Sequence, residues 1–384
     1  MDPVDLTSRV GSIVLPNPVL LASGTAGHGA ELAPYVDLAS LGAVVVKSLL
    51  AGPWAGNPPP RVHETPAGML NSVGLQGPGV AAWLADDLPE LLATGARVVA
   101  SIWGRTFQDY ADAAALLAAA PPGVVAVEVN VSCPNVEDRR RMFAHDPEST
   151  ERALAATAAC GRPRWAKLSP NVTDLVAIAE AAQRGGAEAV TLVNTVMGMA
   201  IDTTTRSYRL GAGGGGLSGA AIHPVAVRAV HDVHAALPDL PIVGVGGVHD
   251  GPTAAELLLA GASAVQVGTA TFSDPRAAAG VLAGLTRWCS DQGETRVADV
   301  IGAVHVRPEH VGPEHVRPEH VGPGHAGPDG GPEHVGPEPV RPGHVGPDGG
   351  RPGQAGGGQA GGRRAHVGQA RRFQRVQRRG EESR

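Results

Sequence analysis

Cysteine is scarce: three residues, Cys133, Cys160 and Cys289, in a chain of 384. Their number and scattered spacing exclude a disulfide framework, offer no iron–sulfur ligand set, and predict a reducing, cytoplasmic compartment. Positive charge is not in excess either. The formal net charge is −6, so the chain as a whole offers no broad attraction to nucleic acid or to an anionic membrane. No apolar run is long enough to span a bilayer. The opening "MDPVDLTSRVGSIVLPNPVLLASG" lacks a basic segment followed by a long apolar one, so no secretory signal is expected. Also missing is an early G-x-G-x-x-G after the first apolar run, the mark of a dinucleotide-binding open sheet.

What the chain does have divides near Ala303. Beyond it comes "VRPEHVGPEHVRPEHVGPGHAGPDGG", in which His305, His310, His315, His320 and His325 recur every five residues, and then an Arg-rich stretch from Arg363 to Arg379. Such composition buries little and does not offset its own ordering entropy, so residues 304–384 are expected to be a disordered tail. His-rich tracts can bind metal, which leaves a metal-binding scaffold as the non-enzymatic alternative.

Residues 1–303 read as one folded unit. Short, largely β-branched runs recur at "NPVLLAS", "GAVVVKS", "RVVASIW", "GVVAVEVN", "RWAKLS", "EAVTLVN", "LPIVGVGG" and "SAVQVGT". Continuous apolar runs of that length suit strands buried on both faces of a parallel sheet. Helix-like stretches such as "DYADAAALLAAA", "VTDLVAIAEAAQRGG", "HPVAVRAVHDVHAAL" and "GPTAAELLLAGA" lie between them. Eightfold alternation over this length predicts an α/β fold, a (β/α)₈ TIM barrel, with a doubly wound open sheet as the structural alternative.

Barrels of this kind place their sites at the C-terminal ends of the strands. Those ends carry Ser23, Lys47–Ser48, Ser101, Asn130, Lys167, Asn194–Thr195, Gly246–Gly247 and Gly268–Thr269. Two lysines and two asparagines converging on one mouth favour a polar ligand with several acceptors. The glycine-rich segments Gly213 to Gly219, Gly244 to Val248 and Val267 to Ala270 let backbone N–H groups approach an anion, which points to a phosphate-bearing cofactor. For Gly213 to Gly216 a flexible lid is an equal reading.

The motifs "NPVLLASGT", "VKSLL", "GNPPPRVHETPAGMLNSVGLQGPG", "VNVSCPN", "KLSPN", "LVNT", "GGLSG", "VGVGGV" and "AVQVGTA" occur in the order found in dihydroorotate dehydrogenases. From about Leu6 to about Ala303 the chain resembles the FMN-binding catalytic subunits of class I, and class IB most. The resemblance implies oxidation of dihydroorotate to orotate in pyrimidine biosynthesis, with a hydride passed to FMN. It implies Cys133, just past a strand end in "VNVSCPN", as the base. It implies a substrate site of Lys47, Asn71, Ser72, Val73, Gly74, Leu75, Asn130, Asn194 and Thr195. It implies FMN contacts from Ser23, Lys47, Ser48, Ser101, Asn130, Lys167, Val193, Gly219, Gly246, Gly247, Gly268 and Thr269. It further implies a homodimeric core and an electron-transfer subunit carrying FAD and an iron–sulfur cluster, joined in a heterotetramer that delivers electrons to NAD. Another FMN-dependent barrel reductase, or a fumarate-using class IA enzyme, is the enzymatic alternative. Ser101, Gly77, Trp103 and Arg105 depart from the common family pattern.

Overall fold

The computed structural model describes residues 3–132 and 142–306. Eight parallel strands close into a barrel in strict sequence order. They are β1 (Val19–Leu21), β2 (Ala43–Val45), β3 (Val98–Ile102), β4 (Val124–Asn130), β5 (Arg164–Lys167), β6 (Ala189–Leu192), β7 (Ile242–Val245) and β8 (Ala264–Val267). Strand β8 returns to β1 through the register Gln266↔Leu20, which completes the ring.

The outer layer comprises a helical run over residues 80–93 between β2 and β3, and the helices α1 (Phe107–Leu117), α2 (Pro147–Ala156), α3 (Leu175–Arg184), α4 (His223–Ala236), α5 (Gly251–Leu259) and α6 (Ala277–Gln292). Several starts are written locally in the sequence. Thr106 and Asp109 form a reciprocal capping box at α1, and Asp146, Asp174 and Asp250 accept backbone N–H bonds at the first turns of α2, α3 and α5.

The expected eightfold strand–helix alternation fails at the first crossover. Between β1 and β2 the described chain forms only a short 3-10 turn, Leu38–Ser40, capped by Asp37. This segment, "SGTAGHGAELAPYVDLASLG", is broken by glycines and a proline and lacks a sustained apolar stripe.

Two further elements do not follow from the alternation. An antiparallel hairpin, Ser8–Val10 with Ile13–Leu15, packs into the lower barrel, where Val10 and Leu15 meet Leu20, Val45, Val99, Trp165 and Val243. A four-stranded antiparallel sheet, in the order Val196–Met199, Gly214–Ser218, Gly68–Asn71, Val62–Thr65, stands at the other end. The glycine run is therefore neither a phosphate loop nor a lid along Gly214–Gly216. It is a strand between two others, and a Cβ on Gly216 would collide with the Thr195 side chain. The close approach requires glycine there.

Candidate active site

Strand periodicity stacks the barrel interior in layers. The lower layer is apolar: Val99, Ala126, Trp165, Ala189, Val243 and Ala264 are fully buried. Two residues further along the same strands the interior turns polar, with Ser101, Glu128, Lys167, Thr191 and Gln266. Glu128 is fully buried and accepts from Gln266 Nε2 at 2.8 Å, from Thr191 Oγ1 at 3.1 Å and from Ser101 Oγ at 3.4 Å. Its Oε1 lies 3.9 Å from Lys167 Nζ. Removing one partner of a buried ion pair costs roughly 3–5 kcal/mol, because the other charge is left uncompensated.

Above this layer opens a cavity of about 250 Å³. Its walls include Ser23, Lys47, Ser48, Asn71, Val73, Leu75, Asn130, Lys167, Val193, Asn194 and Thr195. Gly219, Gly246, Gly247, Gly268 and Thr269 complete the wall beyond β7 and β8. Three of the expected site residues do not line it. Ser101 sits one layer below, bonded to Ser48 Oγ at 2.9 Å. Ser72 is buried, with no partner for its hydroxyl among the described residues. Gly74 faces Asn57 instead. Cys133 follows Ser132 in the chain and lies outside the described residues.

The amides of the mouth form a chain. Asn130 Nδ2 donates to Ser48 Oγ at 3.3 Å, and Asn130 Oδ1 accepts from Asn194 Nδ2 at 3.2 Å and from the Ser132 N–H at 3.1 Å. Tyr110 on α1 donates its hydroxyl to the Asn130 carbonyl at 2.8 Å. Asn171 ties Ser169 to the carbonyl of Thr195 and accepts from the Met197 N–H, which joins the ends of β5 and β6.

The 71–75 loop is held from outside the cavity. Gly74 and Leu75 both have positive φ, 72° and 61°, a conformation that costs a bulky residue such as leucine about 1–3 kcal/mol. Trp54 Nε1 donates to the Gly74 carbonyl at 3.0 Å. Trp54 in turn meets Trp103 edge-on at 5.8 Å, and the Arg105 guanidinium lies 4.9 Å above its ring. The departures noted at Trp103 and Arg105 thus join one buttress. Gly77, the third, pairs with Trp54 across an isolated bridge. Beneath lies His28, whose burial lowers its pKa despite Glu31 nearby.

The glycine end is shaped by close packing. Gly247 has φ 72°, and a Cβ there would stand 2.6 Å from His223 Cβ. His223, at the start of α4, pairs through Nδ1 with the Gly246 carbonyl at 2.8 Å and through Nε2 with Glu256 at 3.0 Å. His223, Glu128, Thr191 and Gln266 escaped the sequence reading. A charged residue inside the apolar strand "VVAVEVN", two positions before Asn130, is the signal that marks the polar layer.

A parallel eight-stranded barrel carries two lysines, three amides and several glycines around one cavity at its C-terminal mouth, the end at which barrel enzymes place their active sites. Residues 5–288 match the family described as Dihydroorotate dehydrogenase. The chain belongs to the dihydroorotate dehydrogenase family. It is 48% identical over 297 residues to a "Dihydroorotate dehydrogenase B (NAD(+)), catalytic subunit" of Desulforudis audaxviator, covering 77% of this chain and 96% of that protein. Proteins of the same name from Pelobacter propionicus and Geobacter sp. are 45% and 44% identical, with 78% and 79% of this chain covered and 98% and 99% of theirs. Among the described residues no helix is long and apolar enough to cross a membrane.

Proposed function

We propose that this chain is the catalytic subunit of a dihydroorotate dehydrogenase of the B type, with FMN and dihydroorotate sharing the mouth cavity. The observation that carries the reading is the convergence of Lys47, Asn71, Asn130, Lys167 and Asn194 on one cavity that ends in a glycine cradle. The cradle fits a ribityl phosphate. Gly219, Gly246 and Gly247 all have positive φ, and together with Gly268 and Thr269 they put backbone rather than bulk at that wall.

Oxidation of dihydroorotate removes a proton from one ring carbon and a hydride from its neighbour. Bound FMN supplies the hydride acceptor. The chain's own residues do the rest. Lys47 holds the substrate carboxylate by charge. The amides of Asn71, Asn130 and Asn194, a side-chain type that carries both donor and acceptor atoms, face the ring N–H and C=O groups, and Thr195 joins them. Lys167, at the cavity floor, sets a cation beside the flavin. Ser23, Ser48 and Val193 line the same wall. Cys133 takes the proton, as a thiolate on the segment after β4. An ordinary thiol has a pKa near 8.5, so the site must either lower that value or acidify the substrate carbon.

Electrons leave through a separate subunit carrying FAD and an iron–sulfur cluster, bound to a homodimer of this chain. The relatives are named as NAD(+)-type catalytic subunits, and three cysteines in this chain cannot supply both a base and a cluster. Anaerobic reduction by dihydroorotate, then reoxidation by NAD, fumarate or a quinone with and without the partner, tests the assignment. NAD-dependent reoxidation only with the partner is the expected result. Direct reoxidation by fumarate would replace the B type with the fumarate-using one.

A further inference from the structure

Glu128 carries a full carboxylate into the centre of the barrel, where a methyl or isopropyl group would pack at lower cost. Its neighbours on β4 at the layer below and outside, Ala126 and Val127, are apolar. Buried ion pairs stabilise folds no better than apolar side chains of the same volume. The carboxylate must therefore do something that hydrocarbon does not.

Its geometry says what. One oxygen, Oε2, is anchored by two neutral donors on strands across the barrel, Thr191 on β6 and Gln266 on β8. The other, Oε1, is turned toward Lys167 Nζ on β5 and Ser101 Oγ on β3. Lys167 lines the cavity, whereas Glu128 is fully buried beneath it. Ser101 continues to Ser48, and Ser48 to Asn130. One fixed carboxylate thus underlies both the cation of the cavity floor and the hydroxyl–amide chain of its wall.

We propose that Glu128 is a positioning residue: anchored by Thr191 and Gln266, it fixes the Lys167 ammonium at the cavity floor and through it sets the affinity and reduction potential of the flavin held there. The inference rests on the functional reading that FMN binds beside Lys167. A glutamine at 128 keeps the shape but turns an N–H group or a neutral oxygen toward the lysine. An aspartate keeps the charge but retracts it by one methylene from an ion pair already 3.9 Å long.

The test uses the full chain with Glu128→Gln, Glu128→Asp, Lys167→Met and the Glu128→Gln/Lys167→Met double variant. The FMN dissociation constant is read by flavin fluorescence on the deflavinated proteins, and the midpoint potential of the bound flavin by anaerobic titration. Melting of the flavin-free proteins reports fold separately. Glu128→Gln and Glu128→Asp are expected to weaken FMN by about tenfold, a change of about 1.4 kcal/mol, and to shift the potential. In the Lys167→Met background Glu128→Gln should change neither. Glu128→Asp behaving as wild type in both readouts would overturn the proposal, because charge alone would then suffice. An equal shift from Glu128→Gln with and without Lys167 would overturn it too, by showing a direct field. Should Lys167→Met fail to fold with its partner charge unpaired, the aspartate variant decides alone. A wild-type chain that takes up no FMN would overturn the functional reading and this inference together. Wild-type uptake with unchanged Glu128 variants would overturn only the latter.

Discussion

Asn194 Nδ2 donates to Asn130 Oδ1 at 3.2 Å, although Asn194 follows β6 by two residues, Asn130 ends β4, and the whole of β5 stands between those strands. Asn130 also meets Ser48, three residues past β2. Each amide is therefore oriented by a residue from a different part of the ring, and both line the cavity. Preorganisation of this kind removes ordering cost from binding.

Asn130→Ala should lower kcat/KM for dihydroorotate by roughly 10–100-fold, the equivalent of about 1–3 kcal/mol for partners left unsatisfied. Asn194→Ala should do the same, and the double variant should lose less than the sum, because the two amides orient each other. Steady-state kinetics on the three proteins measures this. Fully additive losses would show that the bond between them carries no function.

Cys133→Ala should retain FMN and orotate binding while losing flavin reduction by about 10²–10⁴-fold, the usual contribution of a positioned general base. Cys133→Ser should keep part of the rate and gain more of it as pH rises. Cys160 and Cys289 are buried, and burial pushes the Cys289 thiol up, away from thiolate character. Alanine at either should alter melting temperature and leave the reduction rate unchanged in stopped-flow traces.

Trp54→Phe deletes the Nε1 bond to the Gly74 carbonyl and keeps the ring under Arg105. The loop with positive φ at Gly74 and Leu75 then loses one of its external ties and keeps those from Asn57 to Ser72 and Val73. KM for dihydroorotate should rise several-fold, on the order of the 0.5–1.5 kcal/mol of one hydrogen bond, while kcat changes little. A change confined to kcat would place Trp54 in the chemistry instead.

His28 and His234 are both held below the usual histidine range, in each case first by burial, and for His234 also by the positive charge of His305 and His231 when protonated. His305 stacks on His231 at 4.5 Å and sits 4.9 Å from His234. A depressed folded pKa means that the unfolded chain takes up protons first as pH falls below about 6.5. Melting temperature should therefore fall between about pH 7 and pH 5, and His234→Gln should flatten part of that slope. A slope of the opposite sign would show that these histidines gain protons on folding.

Much of the barrel is legible in the chain because strands buried on both faces print continuous apolar runs, and because aspartate and threonine mark helix starts. Lys47, Asn130, Lys167 and Asn194 are legible as a group because each ends such a run. Other parts print weaker signals. The first half of the Gly214–Ser218 strand has no side-chain period, since close contact with Asn71 and Thr195 leaves only glycine at Gly215 and Gly216. The first crossover breaks the pattern because its sequence cannot hold a helix. Thr191 and Gln266 read as ordinary strand interior, and Glu128 as a lone charge in an apolar strand, until closure of the ring brings β4, β6 and β8 to one point. The Trp54–Trp103–Arg105 buttress joins residues some fifty positions apart, which no local pattern announces.

Anaerobic addition of dihydroorotate to the purified full chain, followed by the absorbance of its bound flavin, tests the central claim most directly, with a chain ending at Val306 beside it. The account predicts that extracted cofactor is FMN, that its oxidised band bleaches with formation of equimolar orotate, and that the shortened chain does the same. A protein that carries FAD, or that binds FMN yet leaves it oxidised in the presence of dihydroorotate, would contradict the assignment of this cavity to dihydroorotate oxidation.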